Sequence, residues 1–441
     1  MSARRPCDAL IETVVDTGLC TRCGTCVGCC PYGNIVIEDP WGECLPSAGD
    51  TCDSCGLCLS ACPGARVDFH PIERTLFGRE PEDRLLGTVL AAWLAHASDR
   101  EARMRGASGG VVTTLLEDLL GRGSIDGAVV WSNLADSPWR AAGEVVTDAE
   151  GVRRSAQSRY HLSPMNSALA LLPEDGGRYA LAGLPCHIHG LRKLQAAGWR
   201  RGEQIGPVIG IYCGNNLYFE ATRRMLRKIG AGEPEDIDRL AYRDGEWPGE
   251  FAARLRDGSE RRISKLDFNQ AIPFYVNRRC LFCTDLTAEL SDISVGDGWA
   301  KEGSGTGGWS LVLARTAEGL RIVEDAVSAG IINAVPVGLD EARRMHSHAF
   351  DLKKTGAFLR LGLWRRWGVS VPSYDLAPPR TTAARRIAEW FVSAQFRLCS
   401  SGPGRALFAV LPARSLGPLF RGARRLWMRL TGGESGRSAP R

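Results

Sequence analysis

Two cysteine boxes near the start of the chain have the spacing of metal-cluster ligands. Each box reads C-x2-C-x2-C-x3-C-P, the first over Cys20–Pro31 and the second over Cys52–Pro63. In such boxes the first three thiols lie on one tight loop, and the fourth ligates the cluster of the other box. The spacing therefore predicts two 4Fe–4S clusters, one held by Cys20, Cys23, Cys26 and Cys62 and the other by Cys52, Cys55, Cys58 and Cys30.

A pair of zinc knuckles is the alternative for these boxes, but zinc needs only four ligands per site and has no use for this run of four cysteines plus proline. A short strand-like run follows each box, at Asn34–Glu38 and Ala65–Phe69. A unit this small cannot build a large apolar core, so cluster bonds are expected to replace that core. Residues 12–72 resemble the bacterial-type dicluster ferredoxins, with Cys29 and Cys44 as ordinary small loop residues.

Four further cysteines lie where α/β proteins place ligands. Cys186 and Cys213 each end an expected strand, and Cys280 and Cys283 form a C-x2-C pair. Strand ends bind ligands in α/β folds, and a helix N-terminus favours a thiolate. Burial as a small apolar residue is the commoner fate of a single cysteine. From spacing alone, the choice among buried thiols, a zinc site and a third cluster stays open.

The turn Ser108–Gly110 directly precedes an expected amphipathic helix. Backbone N–H groups at such a helix start can face a phosphate or the edge of a flavin. The turn is not a G-x-G-x-x-G fingerprint, and the same residues serve equally well as an N-cap.

Apolar patterning beyond the charged stretch at residues 79–84 predicts alternating strands and helices. The expected helices are the stripe within residues 111–120 and the segment His189–Ala197. The expected strands are Val89–Leu94, Ile125–Trp131, Tyr179–Leu184, Val208–Tyr212, Asp292–Val295 and Ser310–Ala314. This alternation predicts α/β layers with some parallel pairing.

Length and composition limit the class of protein. The chain has 441 residues, 44% of them hydrophobic, and 16 cysteines, which is ordinary globular composition with room for two or three domains. A net charge of +5 gives no support for a nucleic-acid partner. No secretory signal precedes Cys7, and no apolar run reaches the roughly 18 residues of a membrane span. A cytoplasmic protein is expected, with cysteines as ligands rather than disulfides.

The last part of the chain, residues 371–441, is expected to be a proline-rich linker and a basic tail. Residues 380–441 contain 12 Arg, no Lys and only two acids, Glu389 and Glu434, whereas residues 1–379 are acidic overall. Glycines and prolines from Gly404 onward divide the tail into short pieces. Two interpretations stay open, a solvated terminus and an interfacial segment that contacts an anionic membrane or an acidic partner.

Seven motifs in order along the chain resemble the beta subunit family of coenzyme F420-reducing hydrogenases and dehydrogenases. They are Ala107–Val111, Gln157–Tyr160, Gly183–Cys186, Tyr212–Gly214, Tyr242–Gly249, Cys280–Cys283 and Ala288–Trp299. The resemblance begins at residue 86, with an N-terminal-type region over 86–175 and a C-terminal-type domain over 176–370. This family also holds reductases of chlorophyll metabolism and homologues linked with exopolysaccharide genes.

The resemblance implies an iron–sulfur flavoprotein, with an α+β dicluster ferredoxin domain followed by an α/β flavin-binding domain. It implies that the four body cysteines hold a third 4Fe–4S cluster beside FAD. The residues that it implies for FAD are Arg105, Ser108, Gly109, Gly110, Gln157, Ser158, Arg159, Tyr160, Pro185 and His187.

Two departures from the family pattern leave the hydride partner open. Arg105-Gly-Ala-Ser-Gly-Gly110 stands where Lys-Ala-Ser-Ser-Gly-Gly is common, and His187 stands where the family has glutamine. His187 is expected to be either a proton donor at the flavin or a helix-start histidine bonded to backbone.

Two function classes follow. In the first, an oxidoreductase, the clusters exchange single electrons with a ferredoxin-like donor or a redox partner subunit, and FAD exchanges hydride with coenzyme F420 or another small organic substrate. In the second, the chain is a non-catalytic electron-input adaptor of a larger redox complex, for example one linked to exopolysaccharide biosynthesis. The sequence identifies neither the substrate nor a catalytic residue.

Overall fold

The computed structural model describes residues 4–299, 307–412 and 422. The strands are β1 Ile35–Ile37, β2 Pro46–Ala48, β3 Arg66–Val67, β4 Ala91–Ala97, β5 Gly127–Asn133, β6 Ala141–Val146, β7 Tyr179–Gly183, β8 Ile205–Ile211, β9 Ile237–Asp244, β10 Glu250–Leu255, β11 Glu260–Ser264, β12 Ile293–Asp297, β13 Ser310–Ala314, β14 Ile332–Pro336 and β15 Ser373–Tyr374. The α-helices are α1 Pro6–Leu10, α2 Thr25–Gly28, α3 Leu57–Ser60, α4 Phe69–Phe77, α5 Arg100–Arg105, α6 Val111–Gly121, α7 Ala149–Ser155, α8 Pro185–Ala196, α9 Glu220–Lys228, α10 Lys265–Phe268, α11 Ile272–Tyr275, α12 Ala317–Ser328, α13 Leu339–Met345, α14 Ser347–Phe350, α15 Ala357–Arg366, α16 Ala383–Ser400 and α17 Gly402–Val410.

An eight-stranded mixed sheet organises the body, in the order β14-β4-β13-β12-β8-β7-β5-β6. The four strands β12, β8, β7 and β5 are mutually parallel, and the flanking pairs are antiparallel. Strand β7 is buried along its whole length, as the continuous apolar run Tyr179–Gly183 requires. The mixed α/β architecture with parallel pairing is confirmed. The carboxyl ends of the four parallel strands lie at one edge of the sheet, the edge where such folds bind ligands.

A three-stranded antiparallel sheet, in the order β11-β10-β9, forms a second layer. It shares a core with α9, α11 and α15, in which Phe251, Phe268 and Met225 are buried. No strand was predicted in this region from the sequence.

The N-terminal cysteine-rich unit fits a ferredoxin domain and packs directly on the body. Strands β1 and β2 form an antiparallel pair, and β3 pairs in parallel with β15 from the far end of the chain. Leu10 and Val14 of this unit are buried in the same core cluster as Ile188 and Leu191 of α8. The unit therefore shares an apolar core with the body, and this core adds to the stabilisation expected from cluster bonds.

Residues 383–410, expected to belong to a linker and tail, form the helices α16 and α17 on the body. Phe408 of α17 is fully buried, with its ring 4.6 Å from that of Phe274. An amphipathic pattern in these basic residues allows this packing. Residues 413–421 and 423–441 of the predicted tail lie outside the described residues. Among the described helices, none is long and apolar enough to cross a membrane.

Candidate functional site

The first thiol set combines three cysteines of the first box with one of the second. Together they line a cavity of about 370 Å³: Cys20, Cys23, Cys26 and Cys62. Burial, and then the neighbouring thiols of Cys20 and Cys62, raise the pKa of Cys26 well above its usual value. Gly24 starts α2 with a φ of 82°, a left-handed conformation that suits glycine. This turn brings the thiols of the box to one side.

The second thiol set has the reciprocal composition. Its members line a cavity of about 310 Å³: Cys30, Cys52, Cys55 and Cys58. Gly56 repeats the left-handed start at α3, with a φ of 77°. The two sets thus have the crossed membership that dicluster spacing predicts, three thiols from one box and the last thiol from the other.

Each cavity also has a fifth thiol. Cys44 lines the first cavity, and its thiol donates to the carbonyl of Pro40 at 3.0 Å. Cys7 lines the second cavity, where a hydrogen bond with Cys52 contributes, after burial, to the raised pKa of Cys7. Cys7 was not predicted as a site residue, because Cys7 lies outside both boxes and a single cysteine carries no spacing signal.

The four body cysteines form a third set. Cys186 lies in the first turn of α8, Cys213 follows β8, Cys280 lies within the short 3-10 helix Arg278–Phe282, and Cys283 directly follows that helix. Burial raises the pKa of Cys186 well above its usual value, and the thiols of Cys23, Cys213, Cys280 and Cys283 raise it further. The structure therefore brings together cysteines that are distant in sequence, and places them beside the first set.

A buried cation lies against the third set. Lys353 is 3% exposed, and its ammonium group donates to the carbonyl of Cys280 at 3.3 Å. Burial lowers the pKa of Lys353, but the thiols of Cys283, Cys213 and Cys280 outweigh burial and raise it overall. A buried ammonium stabilises neighbouring thiolates, which are the form that binds metal. Nothing in the sequence pattern singled out Lys353.

The three thiol sets follow one another through the protein. Cys29 lies near both of the first two sets. Burial, and then the thiols of Cys58, Cys30 and Cys55, raise the pKa of Cys29. Cys29 in turn raises the pKa of Cys26 in the first set. Cys23 of the first set is in turn the leading thiol neighbour of Cys186. Among the described residues, no group of three His, Cys, Asp or Glu side chains is spaced for a single metal ion.

Buried hydrogen bonds hold the first set on the body. The backbone amide of Asn166 donates to the carbonyl of Cys23 at 2.9 Å, and the guanidinium of Arg22 donates to the side-chain oxygen of Asn277 at 2.9 Å. Arg279, 3% exposed, donates to the carbonyls of Gly64 and Pro63 at 2.7 and 3.0 Å. Buried hydrogen bonds to charged groups are among the stronger ones, so the relative position of the thiol sets is fixed.

The turn Ser108–Gly110 lies against the sheet. The hydroxyl of Ser108 and the amide of Gly109 both bond the hydroxyl of Ser310, at 2.9 and 3.0 Å. A Cβ on Gly109 would lie 2.5 Å from the carbonyl oxygen of Ala95. Contact with β4 therefore requires a glycine at 109. A valine there would disturb the strand itself.

The loop that follows α7 lies beyond the carboxyl end of β5. It contains Gln157, Ser158, Arg159 and Tyr160. Gln157 has a φ of 85°, and its side-chain amide donates to the carbonyl of Arg105 at 2.7 Å. Its Oε1 is buried and has no hydrogen-bond partner among the described residues. An unpaired buried acceptor is costly, so a bound donor at this point would be stabilising.

Arg159 bonds groups of the protein at the ends of two elements. It donates to Asn133 at the end of β5 and to the carbonyls of Arg154 and Ser155 at the end of α7. Its guanidinium thus fixes the loop, with Ser158 half-buried beside it. The ring of Tyr160 lies 5.3 Å from that of Tyr242, and burial raises the pKa of Tyr160 to about 12.

His187 is a helix-start histidine, and both of its ring nitrogens are bonded to backbone groups. Its Nδ1 accepts from the amide of Leu184 at 3.0 Å, and its Nε2 contacts the carbonyl of Ser163 at 2.7 Å. Burial lowers the pKa of His187 to about 4, so the ring is neutral and both nitrogens are engaged. Pro185 is the buried first residue of α8. It fixes the backbone direction ahead of Cys186.

A charged pair at the end of β12 was not selected by the sequence analysis. Arg243 donates to both carboxylate oxygens of Asp297 at 2.8 and 2.9 Å. Burial alone would raise the pKa of Asp297, but Arg243 and then Lys265 hold it at about 2. Both members of the pair lie in the motifs Tyr242–Gly249 and Ala288–Trp299, which were the available signal. Asp297 ends β12 at the same sheet edge as Cys186 and Cys213, and Arg243 reaches it from β9 of the three-stranded sheet.

Comparison with known proteins agrees with this geometry. Residues 92–170 match the family model described as coenzyme F420 hydrogenase/dehydrogenase, beta subunit N-term, and residues 176–338 match the model of its C terminus. The chain is 28% identical to the coenzyme F420-dependent sulfite reductase of Methanocaldococcus jannaschii over 71% of its own length, but it spans only 46% of that protein. It is 27% identical to the coenzyme F420 hydrogenase subunit beta of Methanococcus voltae, over 59% of this chain and 90% of that one.

The similarity extends to a solved structure. A chain of the F420-reducing NiFe hydrogenase complex from Methanosarcina barkeri aligns with a TM-score of 0.54 at 23% identity, covering 68% of this chain and 99% of that chain. This likeness shows a shared fold. Together the two family models span more than half of the chain, which therefore belongs to the coenzyme F420 hydrogenase/dehydrogenase beta subunit family.

Proposed function

We propose that this chain is an iron–sulfur flavoprotein oxidoreductase that passes electrons between 4Fe–4S clusters and FAD. The observation that carries the proposal is the succession of three thiol sets, with Cys29 between the first two and Cys23 beside Cys186. Clusters in these sets would supply one-electron transfer, and FAD would supply exchange between one-electron and two-electron chemistry.

The chain's own residues would fix the order of the redox groups. The first two sets would take up electrons in the ferredoxin unit, over residues 12–72. The third set would bridge to the sheet edge, where Lys353 offsets the negative charge of four thiolates in a buried site.

The flavin would lie at this edge, in the region expected from the family motifs. Gln157 would bind it through its unpaired Oε1, and the helix start at Ser108–Gly110 would offer backbone N–H groups. Arg105 would act through its carbonyl, which accepts from the side-chain amide of Gln157 at 2.7 Å, and Arg159 would hold the same loop through the carbonyl of Gln157. Pro185 and His187 would act through the position of Cys186.

Coenzyme F420 is the hydride partner that the relatives favour. The three similar proteins named above carry F420 in their names, although the sulfite reductase is more than twice as long as the matched region. The pair Arg243–Asp297, next to Tyr160, lies where such a substrate would meet the flavin.

Anaerobic purification followed by rapid mixing with reduced coenzyme F420 tests this function. The expected result is about twelve irons and one FAD per chain, and bleaching of cluster absorbance by the reduced coenzyme. Gln157→Gly removes the side chain and suits the left-handed backbone, so we expect roughly tenfold weaker FAD binding with unchanged iron. Full iron with no flavin in the native protein would contradict the proposal.

A non-catalytic electron-input subunit is the second candidate. It is favoured by the solved relative, which is a chain of a hydrogenase complex. Under this candidate the isolated chain would reduce its clusters with a chemical donor but would not turn over coenzyme F420 until a partner subunit is added. Steady turnover by the isolated chain excludes it.

A further inference from the structure

Helix α16 carries a row of exposed apolar side chains. Ile387, Trp390, Phe391 and Leu398 are 59%, 48%, 63% and 71% exposed. They recur at helical spacing on the side opposite the buried residue Ser393. We name these four residues the α16 stripe. An apolar row with this much exposure marks a surface that another body covers.

The exposed charges of α16 have a single sign. Glu389 is the only acid in α16, and it is buried between Arg360 and Arg385, at 2.6 and 2.8 Å. Arg386 and Arg397 remain exposed. The exposed charges of this helix are therefore cationic. In the sequence, the 29 residues that follow Pro412 contain seven arginines and one acid.

The helix is held rigidly on the body. Thr382 caps its first turn by accepting from the amide of Arg385 at 3.1 Å, and Arg385 bonds both carboxylate oxygens of Asp351 at 2.8 and 3.0 Å. The stripe is thus presented without prior folding of the helix, and preorganisation of this kind lowers the entropic cost of binding.

We propose that the α16 stripe docks the protein on an anionic membrane surface. Aromatic and aliphatic side chains of an amphipathic helix enter the headgroup boundary, and arginines beside them bind anionic lipid phosphates. A partner subunit would also cover apolar residues. Exposed aromatic and aliphatic side chains with arginines and no accessible acid in α16, and a basic sequence after it, are the composition of an interfacial segment on an anionic lipid surface. The inference is independent of the proposed redox function.

The test is co-sedimentation of the full chain with phosphatidylcholine vesicles that contain or lack phosphatidylglycerol. We expect binding to the anionic vesicles only, weakened by salt. The double variant Trp390→Ser/Phe391→Ser should bind at least tenfold more weakly. Leu171→Ser is the matched control, since Leu171 is 63% exposed but lies outside the stripe, and it should bind like the native chain.

Truncation before α16 would not be a clean test. Glu389 and Phe408 are buried in the body, so removing these helices would disturb the fold. Iron content of each variant checks that the body is intact. Equal binding to both kinds of vesicle, no binding by the native chain, or full binding by the double variant would each overturn the proposal. In the second case a protein partner would be the occupant of the stripe.

Discussion

Gly190 of α8 lies so close to Thr25 of α2 that a Cβ on Gly190 would be 2.1 Å from Thr25 Oγ1. Thr25 is fully buried. Its hydroxyl lies 3.1 Å from the thiol of Cys23 and accepts from the side-chain amide of Asn166 at 2.9 Å. Gly190 is one helical turn beyond Cys186. The absence of a side chain here is therefore what lets the first and third thiol sets approach each other.

Substitution of Gly190 by alanine is expected to separate these sets without removing a ligand. A methyl group 2.1 Å from Thr25 Oγ1 must displace α2 by about an ångström, and a longer distance between the two sets slows electron transfer while iron content stays unchanged. The measurement is the rate of intramolecular cluster reduction after rapid mixing with reduced coenzyme F420. Gly121→Ala is the control, because a Cβ on Gly121 meets no atom within 4 Å. Equal rates for the native chain and Gly190→Ala would refute this role.

Sequence spacing predicted the members of the first two thiol sets, and the family resemblance grouped those of the third, but neither indicated what surrounds them. Each box is a local pattern, and in such boxes the fourth cysteine ligates the cluster of the other box. Cys62 could therefore be grouped with Cys20 from spacing alone. Lys353 reaches the third set from a helix more than 60 residues beyond Cys283, and long-range contacts of this kind leave no local signal. Gly190 is likewise an ordinary helix position until α2 is packed against it.

The fold shows the same division. Strands β7 and β13 are continuous apolar runs. The predicted bounds of β13 match the structure, and those of β7 extend one residue too far, to Leu184. Helix α16 was missed because its arginines resemble a solvated tail. Only the structure shows that Arg385 pairs with Asp351 and that Glu389 is buried. His187 could not be assigned either, since its partners Leu184 and Ser163 are backbone groups.

The third set is expected to bind about four irons. Cys283→Ser should lower iron from about twelve to about eight per chain and leave the spectrum of the ferredoxin unit unchanged, because Cys283 belongs to neither of the first two sets. Iron and sulfide assays with low-temperature electron paramagnetic resonance measure this. Cys399→Ser is the matched control, since burial alone raises the pKa of Cys399 and no thiol contributes. Unchanged iron in Cys283→Ser would leave two clusters.

Lys353 is expected to set the reduction potential of the third cluster. Replacing this buried ammonium by the neutral amide in Lys353→Gln removes a positive charge beside the thiols, which destabilises the more negative, reduced form. We expect a potential lower by roughly 60 mV, about tenfold in the equilibrium constant of a one-electron couple. Potentiometric titration resolves this, with the two ferredoxin-unit clusters of the same sample as internal controls. A shift shared by all three clusters would assign the effect to general loosening of the protein.

His161 is expected to make the fold sensitive to mild acid. Its ring is 3% exposed, its Nδ1 contacts the carbonyl of Leu162 at 2.9 Å, and burial lowers its pKa to about 4. The charged neighbour Arg159 lowers the pKa further, and Tyr242 is the other titratable ring beside it. The unfolded chain takes up this proton near pH 6.5 and the folded chain only near 4, so stability falls as pH falls through that window.

Between pH 7.5 and 5 the loss from His161 is about 2 kcal/mol. His161→Asn keeps a donor toward Leu162 but cannot titrate, so it should lower stability at neutral pH and flatten the pH dependence of the free energy of unfolding. Urea unfolding of both proteins across this range measures the two slopes. Identical slopes would show that the acid sensitivity comes from other groups, of which His346, also buried with a lowered pKa, is the next to substitute.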